Sequence, residues 1–324
     1  MTVLECDVAG SRVEAAQAAD VAARLFILGQ EIDRLAKEDR RLAEICGLDP
    51  QDVEPFEYPG LGEVLKTFQP GMLVGKGASC GKSASVTSLD HVLAVALVQR
   101  EANLRSQADA RRERAQLVGC RQSARTTVDL HQDLMTRWTD VLAQWDPHLR
   151  SELIRLEGEE RALLQGLARY EAAEAAARDA ENALNHLWLA LHDAVDWVVI
   201  GQDRAGETPA PVLRSERLAV AEPWIFEVQI LLARAHRALW DVEDPTGGKF
   251  QADILSRFAG WCIESMGSDV AERDGTSRSC RTVSWTMTTV LALRGYVTRS
   301  QVDVGRALDN LRLLRTKMLS RSRS

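Results

Sequence analysis

The sequence predicts an all-α protein, an elongated coiled-coil-like helical bundle with a smaller helical C-terminal part. Three observations carry this expectation. Apolar residues recur at steps of three and four along most of the 324-residue chain, the spacing that places them on one face of a helix. Ala, Leu, Arg and Glu are abundant, and these residues lose little on entering a helix. No stretch alternates apolar and polar residues for long enough to make a sheet.

The first helix is expected to start after Gly10, with Ser11 as N-cap and Glu14 three residues on, the capping-box pattern. Ala18, Val21, Leu25, Leu28, Ile32, Leu35, Leu42 and Cys46 then form a heptad stripe, and Asp39 fills its one missing position. Gly47 followed by Asp49-Pro50 ends it. Residues 47–87 read as an irregular loop. They hold Pro50, Pro55, Pro59 and Pro70 and seven glycines, and only Gly62–Phe68 suits a turn or two of helix.

A second helical region is expected from near Ser88, apolar at first and strongly charged over Arg100–Arg114, with a pause near Val118-Gly119. Leu134, Trp138, Val141 and Trp145 resume an apolar seam. Asp146-Pro147 signals the next helix start. Leu149, Leu153, Leu156, Glu160, Leu163, Leu167, Tyr170, Glu174, Ala177, Glu181, Leu184, Trp188, Leu191, Val195 and Val198 then keep strict four-three spacing. A stripe of this length requires a helical partner, within the chain or from another chain. The intrachain candidates are the stripe at 18–46 and the seam at 134–145.

Pro209 and Pro211 mark a loop. A shorter helix starts at Glu222-Pro223, another runs from Phe250 to near Gly267, and Val283–Val297 precedes a last helix with Val304, Leu308, Leu311, Leu314 and Met318. The chain is thereby divided into an elongated helical part over 1–200, a compact helical part over 201–319 and a disordered tail over 320–324.

Charge is uneven. Arg273–Ser324 carries eleven Lys or Arg against three Asp, in a chain of net charge −7. Arg299, Arg306, Arg312, Arg315 and Lys317 form a basic surface beside an apolar stripe. Its possible partners are the acidic body of the protein, an anionic membrane and, less suitably because stacking aromatics are missing there, nucleic acid. The N-terminal residues do not read as a signal peptide, and no run of about 18 apolar residues suggests a membrane span. Six scattered cysteines fit a reduced, cytoplasmic setting.

Few residues suggest chemistry. Gly75–Ser83 ends in Gly81-Lys82-Ser83 like a phosphate-binding loop, but Lys76 stands where the first glycine should be. The six histidines do not converge in sequence, and no cysteine or histidine pair has zinc-ligand spacing. Glu160, Glu174 and Glu181 read as polar seam positions that set register. The expectation is therefore a non-enzymatic scaffold without metal, cofactor or catalytic residues. It self-associates, as a homodimer, through Leu149, Leu153, Leu156, Leu163, Leu167, Tyr170, Leu184, Trp188, Leu191 and Val195. A peripheral membrane module and a nucleotide-binding enzyme using residues 75–83 are the alternatives.

Overall fold

The computed structural model describes residues 2–48, 57–68, 83–143, 147–201, 215–239, 257–271 and 278–321. It is an all-α helical bundle, and no strand occurs among the described residues. The helices are α1 (Thr2–Ile45), α2 (Leu61–Lys66), α3 (Ser83–Ala143), α4 (Pro147–Gly201), α5 (Glu222–Ala238), α6 (Phe258–Ala271) and α7 (Arg278–Arg321).

Four long helices run up, down, up and down. Contacts fix each direction. α1 and α3 are antiparallel, since Ser11 bonds His131 at one end (2.8 Å) and Asp39 meets Arg100 at the other (3.0 Å). α4 and α7 are antiparallel, since Glu181 pairs with Arg294 and Glu157 with Arg315. α4 runs parallel to α1, because Arg12 bonds Glu157 (2.7 Å) and Asp20 bonds Arg169 (2.9 Å).

α7 is thus the main partner of the long seam, with α5 against its C-terminal half. Neither the 18–46 stripe nor the 134–145 segment takes that place. Those two belong to α1 and α3, which pack chiefly on each other. The C-terminal helix, read from sequence as part of a separate compact region, lies along α4.

The main core sits where α2, α5 and α6 join the long helices. Leu184, Leu187 and Leu191 of α4 meet Phe226 and Leu232 of α5, Phe258 and Ile263 of α6, and Val283, Val290 and Val297 of α7. A smaller core of Val8, Met135, Trp138 and Leu153 closes the opposite end, with Met318 packed on it. Buried residues outside both clusters include Ala15, Ala16, Leu28 and Leu35 on α1 and Ala110 on α3.

Several expected boundaries differ. α1 begins at Thr2, so Ser11 lies inside the helix and bonds the Val8 carbonyl instead of capping. α3 begins at Ser83 and passes Gly119 without a break. A lone glycine costs a helix about 1 kcal/mol, too little to end it between strong helix formers. α7 is one helix, not two segments, for the same reason at Gly295 and Gly305. α6 starts at Phe258 and continues beyond Gly267. That glycine admits the Phe68 ring so closely that a Cβ would overlap it. Phe250, Ile254, and Trp145 and Asp146 at the expected helix junction, lie outside the described residues, as does the tail from Ser322.

Candidate functional site

Two charged assemblies stand out, and both are built by helices distant in sequence. The first is a groove of about 760 Å³ between α1, α3, α4 and the end of α5. α3 contributes Asp109, Arg112 and Glu113, one turn of a helix whose apolar side is spent on α1. α5 delivers Arg234 and Arg237 in its last turns. Arg234 forms a two-pronged bond to Asp109 (2.6 and 3.0 Å). Arg237 reaches both Asp109 (3.4 Å) and Glu113 (3.1 Å). Arg24 meets Glu113 from α1 at 3.1 Å.

Burial alone would raise the Asp109 carboxyl. The Arg234 hydrogen bonds and the charges of Arg234, Arg237 and Arg112 outweigh it and hold the group below its ordinary value. A carboxylate so committed is a weak proton acceptor near neutral pH. The groove's geometry therefore suits cross-bracing of helices.

The second assembly lies at the end of the bundle near the smaller core. Glu157 and Glu160 of α4 are almost wholly buried. Arg12 from α1 bonds both, at 2.7 Å each. Arg315 from α7 approaches both at 3.4 and 3.5 Å, and Arg312 reaches Glu160 at 3.3 Å. Buried His131 of α3 accepts or donates at Ser11 (2.8 Å) and lies 3.6 Å from Glu157. The Arg315 guanidinium also stands over the Trp138 ring, 5.1 Å from its centre. Burial, together with Arg161 and Arg12 and against the pull of Glu157, lowers the His131 pKa. The ring is therefore neutral at neutral pH.

The sequence-predicted residues divide between these places. Of the seam, Leu153, Leu156, Leu184 and Leu191 are buried, and Leu163, Leu167, Tyr170 and Trp188 are half-buried. The side chains of Leu149 and Val195 fall outside the described set. All three polar seam positions are met by α7 arginines, Glu160 by Arg312 and Arg315, and Glu174 and Glu181 by Arg294. Of the basic surface, Arg312 and Arg315 make these inward pairs, while Arg299, Arg306 and Lys317 are exposed on α7. Residues 75–82 of the Gly/Lys loop lie outside the described residues, and Ser83 opens α3.

Sequence reasoning missed Arg12, His131 and Asp109. Arg12 and Glu157 are 145 positions apart, and no local pattern links them. Glu160 is visible as a charge interrupting an apolar seam, and Arg312 and Arg315 as part of a basic surface, but nothing local joins them.

Among the described residues no group of three or more His, Cys, Asp or Glu is arranged to hold a metal ion. No helix among them is long and apolar enough to cross a membrane. Comparison with protein-family models, curated proteins and solved structures returns no match.

Proposed function

We propose that this chain is a non-enzymatic helical scaffold that associates with a second copy of itself. One observation carries the reading. Most charged side chains of the groove and of the buried cluster are engaged with one another across helices, the arrangement of a braced frame. Substrate-binding sites usually combine an apolar pocket with a few uncommitted polar groups; here Ile27, Leu28 and several alanines share the lining with charges that are mostly paired with one another.

The seam expected to join two chains is occupied inside one chain by α7 and α5. Self-association then falls to the outer faces of the bundle, where α1, α3 and α7 keep apolar side chains such as Phe26, Leu130 and Val302. A membrane-bound role has less support. Of the five cations of the basic surface, Arg315 is mostly buried against Glu157 and Glu160, Arg312 also pairs with Glu160, and Asp303 and Asp309 stand among the others.

Sedimentation equilibrium with small-angle scattering tests the reading. The expected result is a species of twice the 35.9 kDa chain mass in the micromolar range. A monomer at every concentration would remove the self-association. Thermal stabilisation by Mg-ATP or Mg-GTP would instead favour a nucleotide-binding enzyme.

A further inference from the structure

We infer that the second copy docks antiparallel on the outward face of α7, about a two-fold axis near Val304 and Gly305. The inference rests on the self-association proposed above and names its surface.

The observations begin with spacing. Leu291, Val302 and Leu313 remain 46%, 49% and 54% exposed after the bundle has closed. They are eleven residues apart, and eleven residues make close to three helical turns, so the three lie on nearly one line roughly 16 Å from one to the next. Gly295 and Thr298 fill the intervening positions between Leu291 and Val302 on that line, and Arg306 and Asp309 fill the equivalent ones between Val302 and Leu313. A Cβ at Gly295 or Gly305 would meet nothing within 4 Å. The line therefore has apolar knobs, open space at Gly295 and charges between Val302 and Leu313, a relief on which a second helix can seat.

Charge then selects the occupant. Along the exposed face the order is Arg299, Asp303, Arg306, Asp309. Read backwards, that order is its own complement. An antiparallel copy places Arg299 opposite Asp309 and Asp303 opposite Arg306, on both sides of the axis. A parallel copy would set like charges against each other. The same register brings Leu313 of one copy over Gly295 of the other.

Within one chain Asp303 and Arg306 make only an exposed pair, three-quarters accessible on both sides, at 3.4 Å. Such a pair contributes little and exchanges partners readily. A surface that is complementary to itself under a two-fold rotation is the requirement for a closed dimer. The apolar line supplies most of the affinity here, and the charges fix direction and register.

Charge reversal on the full chain tests this by sedimentation velocity at low and moderate salt. Arg299→Asp should weaken the dimer at least tenfold, and so should Asp309→Arg. The double variant Arg299→Asp/Asp309→Arg should recover most of the loss. Both sites are exposed, so the variants should melt with the wild type by circular dichroism, which separates docking from folding. A dimer indifferent to all three variants would overturn this face while leaving self-association standing. A monomeric wild type would overturn both. A monomer that co-sediments with anionic phosphatidylserine vesicles, and loses that binding in Arg299→Asp, would assign the face to lipid and overturn the dimer.

Discussion

Burial sets what the individual charges do. Glu157 and Glu160 are two like charges in a dry site, tolerable because Arg12 and Arg315 stand between them. Removing one carboxylate leaves buried guanidinium without its counter-charge. Glu157→Gln is therefore expected to destabilise the fold by about 3 kcal/mol, read as a shift in the urea midpoint at unchanged slope. His131 and His236 give the pH dependence. Burial is the first cause in both cases, and nearby arginines add to it, so each binds a proton less readily when folded than the ordinary 6.5. Above that value both states are neutral. As pH falls through it the unfolded chain takes up protons first, so stability is lost until the lower folded values are passed. Urea midpoints from about pH 8 to about pH 5 should fall, and His131→Gln should flatten the slope. At this scale the sequence was least legible. An ion cluster drawn from four helices leaves only separate local traces, Glu160 interrupting an apolar stripe and Arg312 and Arg315 in a basic stretch, with nothing to join them.

The helices themselves were legible from period and punctuation. The 149–198 stripe gave α4, and Glu222-Pro223 gave the start of α5. Glycine was the main source of error, because its meaning depends on what lies beside it. Gly267 touches an aromatic ring, while Gly295 and Gly305 face open space. Opposite outcomes follow from the same substitution. Gly267→Ala should cost about 1–3 kcal/mol by driving Phe68 from its stack on His91. Gly305→Ala should instead raise the stability of the folded chain by about 0.5–1 kcal/mol, since a helix-interior glycine is replaced without a clash. Thermal melts of the two variants side by side check both. The starts of α1 and α3 were misplaced because capping and turn patterns also occur inside helices, where the long-range bond from Ser11 to His131 uses the hydroxyl otherwise.

For the whole molecule, the fold class was legible and the pairing of helices was not. Periodicity shows that a stripe must be covered but not by what. The cover for α4 comes from α7, reached through the crossover that carries α5 and α6. A chain ending before Arg278 should lose that cover along Leu184 and Leu191. The expected outcome is retained far-ultraviolet helical signal with a non-cooperative melt and strong binding of a hydrophobic dye. A cooperative melt would mean that α4 is satisfied without α7. The intact chain should scatter as a rod whose length matches α3, roughly 90 Å for its 61 residues.

The smaller core joins Val8, near the start of α1, to Met318, near the end of α7. Both ends of the described chain therefore leave from one end of the bundle. Tension applied to those two ends would act across the bundle axis and not along it. Helices α1 and α7 would peel from their neighbours like the two sides of a zip. Arg12 and Arg315 would be loaded first and the α5–α6 core last. A molecule gripped in this way yields pair by pair at low force, whereas the same bundle held at opposite ends would have to shear all its cross-braces together.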